Sequence, residues 1–591
     1  MGAAPLRHVP LGHADVHIER RADGATLLRS PRSLLEHPHA LTARLVHWAR
    51  ATPEEALIAE RGTDDAWRVL RYGEALERVR RIGAALLERG LSAERPVAIL
   101  SENGIEHALL ALACMHVGVP YVPVSPAYSL LSGDHGKLRY AMQLLTPGLV
   151  FASDRARYGK AVAAAVPKDA EVFHSDGFHL LETHPDEAVE RAHAAVRPDT
   201  IAKFLLTSGS TGQPKAVINT QRMLCSNQQM LAQSLPWLAQ TRPVLVDWLP
   251  WNHTAGGNHN VGITLYHGGT LYIDEGRPVP GLIEKTVRNL REIAPTIYFN
   301  VPRGYEALLP FLREDAALRK NFFSRLGLLQ YAAAVLPQPI WRAYEELAAE
   351  ACGERVLWIT GYGATETAPF AMSTNQGAAR AGTVGLPVDG VEMKLAPVED
   401  KLEARFRGPN ITPGYWRQPE LTAAAYDEEG FYRTGDAMRF LDETDPRVGL
   451  EFDGRIAEDF KLATGTWVSV GPMRARLIAA CSPCVQDCVI TGHDRNEVGA
   501  LVFLNAAVAR DKPVADIRAT IANALATLAK GGGSSMYPAR ALILEAPPSI
   551  DAGEITDKGS INQRAVLAHR AALVELLYRE PPDAAVIRSA P

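Results

Sequence analysis

Ile201-Ala202-Lys203-Phe204-Leu205-Leu206-Thr207-Ser208-Gly209-Ser210-Thr211-Gly212-Gln213-Pro214-Lys215 joins an apolar run to a loop of glycines and hydroxyls. Residues 201–206 read as a strand. Gly209 and Gly212 allow positive φ and a close backbone approach to an anion. Thr207, Ser208, Ser210 and Thr211 carry four hydroxyls, and the loop adds free N–H groups. With the point charge of Lys215, these groups suit a polyphosphate. The stretch is not a Walker A loop, because Pro214 stands where G-x-x-x-x-G-K needs its second glycine. Residues 216–219, next in the chain, read as a strand and not as a helix N-terminus. A polar turn between two strands is the plainer alternative.

Strands and helices alternate on both sides of this loop. Leu76, Val79, Ile82 and Leu86 recur at helical spacing, with Gly90 as a stop. Residues 96–100, 117–124 and 149–152 read as strands, and 106–115 and 158–166 as helices. Such alternation predicts a parallel sheet covered on both faces. Near residue 385 the period changes to two: Val391, Met393 and Leu395 alternate with polar residues, as do Leu402, Ala404 and Phe406. A small antiparallel β unit is expected there. Beyond Gly454-Arg455 the pattern is mixed α+β, ending in an amphipathic helix over 561–578 and a Pro-rich tail. The expected fold class is α/β followed by α+β. The expected organisation is a polar extension at 1–40, a large N-terminal domain at 41–455 with its β-rich part near 385–455, and a small C-terminal domain at 456–591.

Composition narrows the function classes. The 591 residues exceed one hydrophobic core and predict about three or four structural units. Hydrophobic residues are 47% and charged residues 22%, as in ordinary soluble globular proteins. A net charge of −5 argues against a nucleic-acid partner, which would draw a basic surplus. Six cysteines make no disulfide scaffold in so long a chain, and a reducing compartment is the simplest reading. Residues 1–16 lack an apolar signal core, and Leu6 stands where a myristoylation signal needs Ser or Thr. The most membrane-like stretch, 108–124, contains His116 and Pro120 and is shorter than the ~20 residues a span requires. The expectation is a cytoplasmic protein with no membrane partner.

Four further motifs carry chemistry. Gly361-Tyr362-Gly363-Ala364-Thr365-Glu366-Thr367 follows an apolar strand, but Glu366 replaces the last glycine of a dinucleotide fingerprint. A carboxylate there suits Mg²⁺ beside phosphates, and Tyr362 suits stacking on a base. Tyr432-Arg433-Thr434-Gly435-Asp436 offers a carboxylate for paired ribose hydroxyls, and Asp453-Gly454-Arg455 a guanidinium. Last comes Gly553-Glu554-Ile555-Thr556-Asp557-Lys558-Gly559.

In this order and spacing, the five segments resemble the adenylate-forming, AMP-binding superfamily. Its members include acyl- and aryl-CoA synthetases, firefly luciferase and peptide-synthetase adenylation domains. The resemblance covers roughly residues 60–570, and five ordered motifs make chance agreement remote. The texture of 361–370 and 556–564 looks most like bacterial feruloyl-CoA synthetases. The resemblance implies a large domain of parallel α/β subdomains with a small β-barrel-like one, then a small mobile α+β domain. It implies an acid–thiol ligase that joins a hydroxycinnamate such as ferulate to coenzyme A. ATP, Mg²⁺ and coenzyme A would be its small-molecule partners, and a homodimer is open to it. Rival acids are benzoates and medium-chain fatty acids. Rival classes are an adenylase loading a carrier protein and a non-catalytic adenylate sensor.

The resemblance also implies residue roles. The 207–215 loop would hold the β- and γ-phosphates. Thr365 would contact the α-phosphate, Gly363 would belong to the ATP/AMP site, Glu366 would hold Mg²⁺, Tyr362 would lie on adenine, and Asp436 and Arg455 would hold the ribose. Lys558 would bridge carboxylate and α-phosphate during adenylation. Lys461 matches a second lysine tied to thioester formation, and Gly465 a glycine near the CoA channel. His253 and Thr254, with Tyr331, Ala332, Ala333 and Ala334, match acyl-pocket positions. Ala457 stands where relatives carry a charged hinge residue, which leaves the rotation mechanism open. Cys481, Cys484 and Cys488 with His493 have metal-like spacing, but small buried cysteines are the commoner outcome. The 530–535 stretch reads as a surface loop.

Overall fold

The computed structural model describes residues 4–208, 213–375, 382–530, 533, 535–556 and 559–589. Among the described residues, three sheets build the large domain. One runs Pro214–Thr220, Ile201–Ser208, Tyr121–Pro123, Val97–Leu100, Leu149–Ala152, Glu171–Phe173, parallel except for its first pair. Its strands read as unbroken apolar runs because helices cover both faces. The strands that flank the glycine-rich loop in sequence, Ile201–Ser208 and Pro214–Thr220, pair antiparallel at the edge of this sheet, with Lys215 opposite Thr207. A second sheet, Val244–Asp247, Thr270–Ile273, Ala56–Arg61, Trp67–Arg71, is parallel over its first three strands.

The third sheet has eleven strands. Its parallel end, Ile297–Asn300, Leu328–Tyr331, Leu357–Tyr362, passes through antiparallel Met372–Ser373, Thr383–Pro387, Leu450–Arg455 and Tyr432–Phe440 into the period-two hairpin Lys401–Arg407 with Glu392–Val398. The antiparallel strands thus form one open ladder with the parallel ones. This places Tyr362, at the end of Leu357–Tyr362, near strands Tyr432–Phe440 and Leu450–Arg455.

Two details depart from the sequence reading. Residues 1–40, read as a polar extension with weak structure signals, carry two strands. Strands His17–Arg20 and Thr26–Arg29 pair, and Thr26–Arg29 pairs again with Glu392–Val398. Thr26 and Leu28 are buried there, a two-residue alternation too short to stand out in sequence. The C-terminal helix is two helices, Gln563–His569 and Ala571–Leu577, broken at Arg570. The Arg570 guanidinium grips Glu554 at 2.7 and 2.8 Å and reaches the Ala546 and Pro547 carbonyls.

The small C-terminal α+β domain has its own sheet, Val485–Thr491, Val498–Leu504, Pro538–Ile543, Ile587–Arg588. Its buried apolar clusters draw only on residues from Leu462 onward, while those of the large domain stop at Leu450. Cys481, Cys484 and Cys488 are buried in this core as free thiols. His493 is exposed, and no His, Cys, Asp or Glu cluster among the described residues could hold a metal. Among the same residues, no helix is long and apolar enough to cross a membrane. The 108–124 stretch is the buried helix Ile105–Val117 leading into Tyr121–Pro123.

Candidate active site

The 361–370 segment turns sharply after its strand. A Cβ on Gly361 would sit 2.2 Å from the Met372 carbonyl oxygen, and one on Gly363 would sit 1.3 Å from that of Pro369. Both positions therefore exclude any side chain. Thr367 closes the turn: its hydroxyl accepts from Ala364 N at 2.9 Å and donates to Pro369 O at 2.7 Å. Asn227 and Asn410, both buried, donate to the Phe370 and Thr367 carbonyls at 2.8 Å each. This packing leaves Thr365 and Glu366 almost wholly buried.

Two side-chain clusters form around that turn. In the first, Lys215 Nζ donates to the Tyr415 hydroxyl at 3.1 Å, and that hydroxyl donates to Glu366 Oε1 at 3.0 Å. The Thr207 hydroxyl, one strand away, is buried without a hydrogen-bond partner among the described residues. In the second, the Tyr362 hydroxyl donates to Asp436 Oδ2 at 2.6 Å, and Arg455 Nε lies 3.5 Å from Asp436 Oδ1. The Tyr362 ring lies against Phe406, centroids 5.7 Å apart at 20°. Burial raises the Asp436 pKa, while Tyr362 and Arg455 pull it back. Burial and the Asp436 charge push the Tyr362 phenol well above its ordinary value.

Other expected residues fall around this centre. His253 is half-buried, and Thr254 accepts from Asn258 at 3.2 Å in the π-helical turn Ala255–Asn260. Tyr331 turns its ring into an aromatic core with Trp341 and Trp358, at 6.2 and 6.0 Å. Alternation along the strand sends the preceding residue the other way: Gln330 Nε2 lies 3.3 Å from His259 Nε2. Ala332 is half-buried, and Ala333 and Ala334 are exposed. Lys461 is exposed, 4.8 Å over the Trp467 ring, in a hairpin that turns at Gly465, whose φ is +79°. Gly209, Ser210, Thr211, Gly212 and Lys558 lie outside the described residues, as does the side chain of Ser208. On either side of 557–558, Ile555 bridges Ile561, and Glu554 is anchored on Arg570. Sequence reading missed Tyr415, Asn227, Asn410, His259 and Gln330. A polar residue inside an apolar strand was the one available signal for Gln330.

Residues 45–416 match the AMP-binding enzyme family, and residues 459–581 match the AMP-binding enzyme C-terminal domain. The chain belongs to the AMP-binding enzyme family. A malonate–CoA ligase of Arabidopsis thaliana is 27% identical over 51% of this chain and 50% of its own length. The chain thus spans about half the length of that curated relative. A feruloyl-CoA synthase of Amycolatopsis sp is 26% identical over 66% of this chain and 74% of its own. The crystal structure of ATP-bound MatB from Rhodopseudomonas palustris superposes with a TM-score of 0.67 at 23% identity, covering 90% of this chain and 99% of that one. At that identity the likeness establishes the adenylate-forming fold, with its large and small domains.

Proposed function

We propose that the protein is an ATP- and Mg²⁺-dependent acid–thiol ligase that joins a carboxylic acid to coenzyme A through an acyl-adenylate. The observation that carries this reading is the convergence of Lys215, Glu366, Tyr362, Asp436 and Arg455 around one turn, within a chain of the AMP-binding family. The acid's carboxylate oxygen attacks the α-phosphorus of ATP, and the bond to pyrophosphate breaks. The CoA thiolate then attacks the acyl carbonyl, and AMP leaves. Such transfers need positioning and charge neutralisation more than covalent help.

The residues fit those needs. Thr207, with its buried hydroxyl unpartnered among the described residues, and Lys215 face the β- and γ-phosphates with the rest of the loop. Thr365 and Gly363 flank the α-phosphate. Glu366 would hold Mg²⁺, a hard cation that takes oxygen ligands and would offset phosphate charge. Asp436 and Arg455 take the ribose, with Tyr362 beside the base. Lys558, brought by the small domain, screens repulsion between carboxylate and α-phosphate, then withdraws to admit CoA, with Lys461 and Gly465 on the thioester side.

For the acid, the reading is a hydroxycinnamate such as ferulate. His259 sits between Phe299 and Phe370, at 4.9 and 6.3 Å, and contacts Gln330, whose Oε1 is buried without a partner among the described residues. Flat rings beside a hydrogen-bonding group favour an aromatic acid bearing a hydroxyl over an alkyl chain. The test mixes purified protein with ATP, Mg²⁺ and ferulate, 4-coumarate, benzoate or octanoate, with and without CoA. Thioester with ferulate and little with octanoate is expected. Pyrophosphate without thioester would point to a carrier-loading adenylase, and no pyrophosphate with any acid would remove the ligase reading.

A further inference from the structure

Segment 410–418 joins the two halves of the phosphate site, yet no motif marks it. Its backbone zips onto the strand after the glycine-rich loop. Ile218 N donates to Gly414 O at 3.1 Å, Trp416 N donates to Ala216 O at 2.9 Å, and Tyr415 bridges Val217. The Thr412 hydroxyl donates to Ile218 O at 2.7 Å, while Thr412 N donates to Glu366 O at 2.8 Å. One loop thus fixes the position of the Lys215 strand and of the Glu366 turn together. Tyr415 sits at the centre of that loop, 5% exposed.

Among the described residues, its hydroxyl is the one atom that hydrogen-bonds to both charged groups. Lys215 Nζ donates to it at 3.1 Å and lies 4.4 Å from its ring centroid. The proton it carries goes to Glu366 Oε1 at 3.0 Å. Glu366 Oε2 makes no hydrogen bond among the described residues. The loop gives the hydroxyl little freedom, since Tyr415 N is itself held by the Thr422 hydroxyl at 3.0 Å. A hydroxyl can accept and donate at once, so it separates a cation from an anion by one bridging atom. A direct Lys215–Glu366 ion pair would satisfy each charge with the other and leave less for a ligand.

We propose that Tyr415 is the positioning residue of the phosphate site: it presents Lys215 to the phosphates and turns the free oxygen of Glu366 toward the metal-bearing nucleotide. This rests on the ligase reading for its biological meaning, but nucleotide binding alone tests it. Tyr415→Phe keeps the ring and removes the hydroxyl. Titration calorimetry with Mg–ATP, with no acid or CoA present, should show a Kd raised about 10- to 100-fold, the scale of a hydrogen bond to a charged group. In pyrophosphate release, KM for ATP should rise while KM for the acid stays within about twofold. On a Glu366→Gln background, Tyr415→Phe should cost much less, because the two act as a unit.

Unchanged Mg–ATP affinity in Tyr415→Phe overturns the proposal. So does full additivity with Glu366→Gln, or an equal rise in both KM values with a lowered Tm, which would make Tyr415 general support for the loop. A wild-type protein that binds Mg–ATP but releases no pyrophosphate with any acid removes the ligase reading. The calorimetry would still decide the role of Tyr415.

Discussion

Gly363 shows how a single position governs the site. Its missing side chain is what lets the Pro369 carbonyl pass 1.3 Å from where a Cβ would sit. Gly363→Ala must push the 365–370 turn outward, and with it Thr365 and Glu366. Backbone collisions of this kind leave no rotamer to escape into. We expect a lowered Tm, at ~1 °C per kcal/mol for a domain of roughly 400 residues, together with loss of Mg–ATP binding. Differential scanning calorimetry and calorimetric titration check this, and a variant with unchanged values would mean that the turn has slack. The sequence showed that glycine here was part of a motif. It did not show which atom forbids a substitution, because Pro369 folds back on Gly363 only through the turn that Thr367 closes.

Among the elements, the strand Ile201–Ser208 carries an anomaly that its apolar neighbours hide. Lys203 is 1% exposed, and its ammonium has the Gly257 carbonyl, at 3.0 Å, as its hydrogen-bond partner. Burial lowers its pKa to about 7, against ~10.4 for a free lysine. The unfolded chain therefore binds more protons than the folded one between about pH 7 and 10, and stability rises with pH across that window. Below about pH 7 both states hold the proton, and the full penalty of burying the charge remains. Lys203→Met should remove this slope. Its stability gain over wild type in urea titrations should be largest near pH 7 and shrink toward pH 10. A gain independent of pH would mean that Lys203 is solvated in the folded state. The same strand illustrates what periodicity carries: its apolar run and the alternation in Glu392–Val398 were legible, since both follow from one face or two faces being buried. The strands of residues 1–40 were not, because four-residue strands leave too few positions to show a period.

For the protein as a unit, the proposed reaction depends on how the small domain meets the large one. The turn at 549–553 docks on the large domain: Asp551 accepts from the Ser132 hydroxyl at 2.6 Å and from Gly133 N at 3.0 Å, and Lys137 Nζ donates to Ile550 O at 2.7 Å. Lys137 belongs to helix Gly136–Leu145, whose far end meets Arg417 of the 410–418 segment. Glu554, directly after this turn and four residues before Lys558 in sequence, is held by Arg570. If, as proposed, Lys558 acts from a small domain that withdraws between the two steps, a split phenotype is expected. Lys558→Ala should abolish pyrophosphate release yet keep most thioester transfer from supplied feruloyl-AMP to CoA. Equal loss of both half-reactions would refute that division of labour.

The family, the order of its motifs and the charged groups Lys215, Glu366, Asp436 and Arg455 were all readable from the chain before folding. Each depends on residues adjacent in sequence, so local spacing suffices to reveal it. The placement of Tyr415 between Lys215 and Glu366, 200 and 49 residues away, came from the folded structure alone. So did the meeting of Gln330 with His259 while Tyr331 joins the aromatic core. A strand's two faces are interchangeable in sequence when both are buried, and a loop's partners are set by pairings that span the chain.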